Sequence, residues 1–414
     1  MHYTDQWNGI KIKQFILPSL FICTFAFIFI TQFGHKDDND CWVLWATQLK
    51  LNGLSSAYAD YSKINYLPLY LYVLKIFGHL FPTDQIAFNI YKLKAFTFLF
   101  DIAGILLICS LVKDEVKGLK YLIYGLLNIG YFYNTMIWNQ VDGILTFFIF
   151  SAFYFAYFKK GFLSMLLFLL GLNFKLQGII YFPILLAMWW PQLTVKKAIV
   201  YGIIFIGMQV IIVYPFLING SPHNLLRMIY KSVGYNPVLS MNAFNFWHLF
   251  IKGNLMEMPD NVKLFFGLSY KNIGLILFAV SSFIVLIPLI IDLIKFQFYK
   301  KSFNPNLKLI LIMAALVCFV FFYFNTQMHE RYIHPAIIFL TALAFLYNLW
   351  IPWLLIGLNY TLSLESILHF FNLNHSAYFL FDPFFIAILY TLGLFILFYH
   401  WYKALPPRMF VLEK

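Results

Sequence analysis

Apolar residues in this chain come in long unbroken runs, near residues 14–33, 95–112, 120–134, 143–158, 161–174, 178–190, 198–217, 273–295, 308–324, 334–350, 351–371 and 384–403. A helix of a water-soluble domain is apolar along one stripe, so runs that are apolar all round predict helices solvated by lipid. Several are shorter than the ~20 residues a helix needs to cross the hydrocarbon core, which leaves their ends loosely defined. The 414 residues have room for roughly a dozen spans joined mostly by short loops. The predicted fold class is an all-α polytopic membrane protein forming one transmembrane domain over residues 1–414. Lys11 and Lys13 precede the first run without a small-residue cleavage site, so that run is expected to be a retained span.

Composition agrees with this reading: 62% of residues are hydrophobic and 11% charged, against about a quarter charged in soluble domains. The net charge of +12 is spread singly and in pairs between apolar runs, a topological pattern that excludes a nucleic-acid surface. A cytoplasmic N-terminus puts Lys113/Lys117/Lys120, Lys159/Lys160, Lys196/Lys197, Lys300/Lys301/Lys308 and Lys403/Arg408/Lys414 on the cytoplasmic side, as the positive-inside rule asks. That threading requires an even number of crossings between residues 34 and 94, so Tyr66–Phe81 is expected as a juxtamembrane helix. Two long outer loops result, 34–94 and 218–272, the second after the seventh span. Cys23, Cys41, Cys109 and Cys318 have no metal or disulfide spacing.

The unusual polar clusters then share the outer face: His35 to Asp40, Trp138 to Asp142, Asn173 to Gln177 and Asn325 to Tyr332. Charge at membrane depth costs at least ~2.5 kcal/mol per residue, so such groups tend to line a polar cavity. Asp38 just outside the first span has the chemistry of a general base for an acceptor hydroxyl; its bland alternative is a solvated acidic loop. Asp38 and Asp40 also spell DxD, an oxygen pair able to hold a divalent cation, although the favoured reading has no metal and no cofactor. His329, Glu330, Arg331 and His334 fall within six positions, and an Arg–His pair suits a departing phosphate; the alternative is an interfacial cluster with Glu330 paired to Arg331. Lys94 and Asp101 share a helix face two turns apart, and Asp142 and Lys175 suit either a structural network or a phosphate site. Asn245 and Trp247 suit sugar stacking or interfacial anchoring.

In order along the chain, these motifs resemble the GT-C superfamily of polyprenyl-phosphate-sugar-dependent glycosyltransferases. The resemblance is nearest to bacterial proteins related to the second mannosyltransferase of GPI-anchor synthesis. It rests on Asp38 with Trp45, on Tyr66 to Tyr70, on Lys94 with Asp101, on Trp138 with Gln140 and Asp142, on Phe174 to Gln177 with Pro183, on Phe244 to Trp247, and on Met328 to Tyr332. Dolichyl-phosphate-glucose glucosyltransferases are similar at fewer of these places. The resemblance implies a fold of roughly 12 transmembrane helices with Asp38 as catalytic base, and an inverting attack by the acceptor hydroxyl on a hexose, mannose by the nearer likeness. His329, Arg331, Lys175 and Lys94 would bind the donor phosphate. Asp40, Trp45, Asp101, Trp138, Gln140, Asp142, Gln177, Asn245, Trp247 and Glu330 would support or position the substrates. Asn65 and Leu67 replace the family's usual Asp and first Pro, and Asn139 its usual Gly, all changes directed at the acceptor side.

The implied partners are a polyprenyl-phosphate-linked sugar, a hydroxyl acceptor on a glycan, lipid or protein, and membrane lipids, with no nucleic acid. The expected location is a bacterial inner membrane with the site facing the periplasm or exterior. Two other classes share such donors: a transporter or flippase of lipid-linked sugars, which usually shows repeated halves that are not evident here, and a polymerase or ligase that transfers whole glycans.

Overall fold

The structure, a computed structural model, describes residues 13–59, 64–112, 114–218, 222–232, 234–373 and 378–406. Lys11, Lys113, Arg408 and Lys414 lie outside the described residues. Those described form helices and connecting segments, with isolated bridges but no strand. In chain order the helices are α1 (Lys13–Ile28), α2 (Lys36–Asn52), α3 (Pro68–Leu80), α4 (Ile86–Asn89), α5 (Leu93–Cys109), α6 (Glu115–Leu126), α7 (Ile129–Phe132), α8 (Asp142–Tyr157) and α9 (Gly161–Phe174). They continue as α10 (Phe182–Trp189), α11 (Val195–Leu217), α12 (Pro222–Ser232), α13 (Tyr270–Tyr299), α14 (Leu307–Phe324), α15 (His334–Tyr347), α16 (Trp350–Leu368) and α17 (Pro383–Ala404).

Five of these, α11, α13, α14, α16 and α17, are long and apolar enough to cross a membrane. Their burial separates two kinds. Only 11% of the apolar window of α11 is buried, against 83% for α14. Ile203, Ile206, Val210 and Ile211 of α11 are all exposed; an outward surface that apolar is stable against lipid and not against water. α14 and α15 form the centre of the main core, flanked by α8, α16 and α17.

Each apolar run of the sequence falls on helical structure, but two are broken. The run at 120–134 is divided between α6, α7 and a wide turn over Tyr133–Ile137, and the run at 178–190 starts as tight helix over Leu176–Tyr181 before α10. Pro183 in the first turn of α10 favours a fresh helix start there.

Helix polarity sorts the polar residues to two ends. At one end Lys159 Nζ reaches Asn304 Oδ1 at 3.5 Å and Trp190 Nε1 reaches Gln297 Oε1 at 3.3 Å, which joins the basic turns after α8, α10 and α13. At the other end lie the start of α8 and the ends of α9 and α14, where the acidic and histidine-containing segments meet.

His35 to Asp40, which the sequence places in the first outer loop, is the cap and first turn of α2. Asp37 and Asp38 there complement the positive helix N-terminus, and Trp42, Trp45, Ala46 and Leu49 make its buried face. Gly53 ends it at φ 75°, donating to Leu49 O. Tyr66–Phe81 does contain a helix, α3, started by Pro68, which packs on α2, α9 and α11. Lys50 Nζ donates to Phe81 O at 2.7 Å and Tyr72 OH to Ile212 O at 2.9 Å. The first bond closes the α2–α3 hairpin on itself and the second ties it to α11, which together hold α2 against the bundle. The second long connection is not a plain loop, because it opens with α12.

Gly78 is where α3 meets α2: a Cβ there would lie 2.7 Å from Ala46 O. Gly78→Val is expected to separate the hairpin at a cost of about 1–3 kcal/mol, read as a lower thermal midpoint in detergent. An unchanged midpoint would contradict the close crossing.

Candidate functional site

Asp38 projects from the first turn of α2 toward the segment between the wide turn at 133–137 and α8. Trp138 Nε1 donates to its Oδ2 at 2.8 Å, Gln140 Nε2 donates to the same oxygen at 2.6 Å, and His35 Nδ1 lies 3.2 Å away. Asn139 takes φ 74°, a conformation that glycine adopts freely and Asn tolerates better than most residues. Its amide donates to Asn39 Oδ1 at 2.7 Å, binding the segment to α2 a second time.

The second half of the site is a charge cluster around Asp142 at the start of α8. Lys175, in the break after α9, pairs with Asp142 Oδ1. Arg331, before α15, donates to Glu330 Oε1 at 2.8 Å and turns its Nε toward Asp142 Oδ2 at 3.9 Å. That separation is too long for a hydrogen bond, so both buried atoms lack a partner among the described residues. His329 Nδ1 stands 3.9 Å from Glu330 Oε2. Gln177 donates to Tyr332 O at 2.7 Å, joining the α9 break to the segment that carries Arg331. Lys175 Nζ also lies over the rings of Tyr66 and Tyr332, at 5.8 and 5.9 Å.

Burial pushes the Asp38 carboxyl up, but Arg331, His35 and Trp138 together hold it well below the usual carboxylate range. It is therefore ionised at neutral pH. Burial, reinforced by Arg331 and Lys175, pushes His329 down to about 3. His329 is thus neutral and offers an anion a hydrogen bond, with the positive charge coming from Arg331 and Lys175.

The four polar clusters of the sequence meet here, but not all of the residues singled out do. Asp40 is exposed, and two positions along a helix turns it away from Asp38, so the pair does not converge on one cation. Among the described residues no group of three His, Cys, Asp or Glu side chains is arranged to hold a metal. Lys94 is fully buried, and its ammonium is spent on Thr31 O at 2.9 Å and on Phe33 O. It ties the segment after α1 to α5 and does not join the Arg331–Lys175 group. Asp101 is buried beside Tyr131 and Thr135 within the bundle, with Gly143 leaving room for its carboxyl.

Trp45 packs in the aromatic cluster of Trp42 and Tyr66. Asn245 donates to Phe322 O and Asn325 O at 3.0 and 3.2 Å, and Trp247 Nε1 to Phe324 O at 3.1 Å. Both hold the second long connection to the end of α14. Asp260 was not singled out from the sequence. Its Oδ2 accepts from Thr326 Oγ1 at 2.8 Å and Gln327 Nε2 at 2.6 Å, fixing the approach to His329 from the same side.

Asp142→Asn would leave Lys175 and Arg331 buried without their shared counter-charge. The expected cost is about 3–5 kcal/mol, seen as a lower unfolding midpoint and partly recovered in the double variant Asp142→Asn, Lys175→Met. Equal midpoints for wild type and the single variant would contradict the ion-pair geometry.

No protein-family model matches this chain, and no curated protein matches it.

Proposed function

We propose that this chain is an inverting hexosyltransferase of the GT-C type, with the roughly 12 spans that its apolar runs suggest. It takes a hexose, mannose on the nearer resemblance, from a polyprenyl-phosphate donor and transfers it to a hydroxyl on the outer face of a bacterial inner membrane. The observation that carries this reading is the facing of an ionised, firmly held Asp38 and a cationic group whose buried Arg331 Nε–H has no hydrogen-bond partner among the described residues.

Such an arrangement suits displacement at an anomeric carbon. Asp38 takes the proton of the acceptor hydroxyl as its oxygen bonds to C1, and the bond from C1 to the phosphate oxygen breaks on the opposite side. The leaving phosphate gains negative charge in that step. Arg331 offers forked donors and a spare N–H, Lys175 a point charge, and neutral His329 a hydrogen bond, all to the group whose charge grows. The half-buried ring of Tyr66, backed by the buried Trp45, gives the α2–α3 side an apolar face suited to a sugar ring.

The test is sugar transfer from synthetic polyprenyl-phosphate mannose and polyprenyl-phosphate glucose to octyl mannoside by the purified protein in nanodiscs. Asp38→Asn is expected to lose at least about 100-fold in kcat with an unchanged unfolding midpoint. Full activity in that variant would overturn the assignment.

A further inference from the structure

The two carboxyl oxygens of Asp38 have unequal surroundings. Trp138, Gln140 and His35 all converge on Oδ2. Among the described residues no donor reaches Oδ1, while the side chain keeps a 20% exposure. Rotation that exchanged the two oxygens would break both the indole and the amide bond. A carboxylate oxygen that already accepts several donors has little lone-pair capacity left, which leaves Oδ1 as the oxygen open to a new proton.

His35 brings this arrangement together through three contacts. It caps α2, and its backbone N–H donates to Trp138 O at 3.1 Å. Its ring stacks on the Trp138 indole with centroids 4.9 Å apart and planes at 11°. Its Nδ1 lies 3.2 Å from Oδ2 but is not aligned for a straight hydrogen bond, so what it adds there is chiefly charge. The stacking and the backbone bond fix the indole that holds Asp38.

Resting on the reading of Asp38 as the base, we infer that His35 is a positioning residue for the transfer. It fixes Trp138 and thereby Oδ2, so that Oδ1 alone receives the acceptor proton, and its own protonation tunes how strongly Oδ1 does so. In the step, the acceptor O–H proton passes to Oδ1, the acceptor oxygen bonds to C1, and the C1–oxygen bond to phosphate breaks with its electron pair leaving on polyprenyl phosphate.

The groups facing His35 are Asp38 on its own helix, Trp138 from the preceding segment of α8, and Glu330 and Arg331 from the segment before α15. Contact with Asp38 raises the imidazole above its ordinary range, Glu330 adds to this, and burial and Arg331 oppose it. The sign follows from that direction. Below the raised value His35 is positive and draws charge from the carboxylate, weakening the base; above it the imidazole is neutral and the base is stronger. Turnover is therefore expected to climb with pH as one group loses its proton, on the alkaline side of an ordinary histidine at about 6.5.

The test uses the full chain in nanodiscs with the same two donors and octyl mannoside, following polyprenyl phosphate release against pH. His35→Phe keeps a ring on Trp138 but carries no titrating group, and is expected to lose the climb with pH while losing less kcat than His35→Ala. His35→Ala is expected to lose on the order of 10-fold to 100-fold in kcat at every pH, with KM for the donor unchanged. A climb that persists in His35→Phe, or a wild-type rate in His35→Ala, overturns the inference. A second measurement does not depend on turnover: nuclear magnetic resonance of labelled imidazoles, with His35 assigned by its loss in His35→Phe. Its titration is expected above the ordinary range in wild type and lower in Asp38→Asn, and a titration indifferent to that substitution also overturns the inference. A wild-type protein that transfers no hexose from either donor would instead sink the functional reading, with the resonance result still deciding the His35–Asp38 contact.

Discussion

A charge at the edge of an apolar bundle must be answered by another charge or by hydrogen bonds, and the candidate site is organised by that requirement. Asp142, buried at the start of α8, is the common partner of Lys175 and Arg331. Those two side chains come from separate breaks in the helix pattern, one after α9 and one before α15. Pairing with one carboxylate draws the breaks together, and Gln177 closes the junction by donating to Tyr332 O. Asp38 enters from a third direction on α2 and faces the same Arg331. Without Asp142 the two cations would repel each other in a poorly solvated place, and the surface that faces Asp38 would lose its shape.

The same requirement explains which polar residues act as fasteners instead. Among the described residues Lys94 meets no carboxylate; it satisfies the carbonyls of residues 31 and 33, in the segment that follows the end of α1. Asn245, Trp247 and Asp260 attach the second long connection to the end of α14 and to Thr326 and Gln327. They position the rim of the site without presenting charge to it.

Much of this was legible in the sequence, and the remainder has a physical reason for being hidden. Runs apolar all round mark where helices form, and the placement of basic pairs sorts the polar clusters to one end. The breaks at 133–137 and 176–181 were hidden because hydropathy reads composition and not backbone bonding. α2 was hidden because its exposed face is charged and its buried face is a short stretch of tryptophans, alanine and leucine. The shared face of Lys94 and Asp101 followed from helix geometry, but the partner of Lys94 lies 61 to 63 residues away in the chain. Asp260 had no local signal at all, since its role depends on a contact with residues more than 60 positions distant. Family-like motif order pointed to Asp38, whereas the unequal treatment of its two oxygens appears only once α2 and the segment at 138–140 are docked.

The proposed transfer is a direct displacement at an anomeric carbon by an acceptor hydroxyl whose proton goes to Asp38. The most direct measurement is the anomeric configuration of the product, read by nuclear magnetic resonance after turnover of a donor of known configuration in proteoliposomes. The account predicts inverted configuration and one free polyprenyl phosphate for each glycosidic bond formed. Retained configuration, or a donor that crosses the bilayer chemically unchanged, would contradict it.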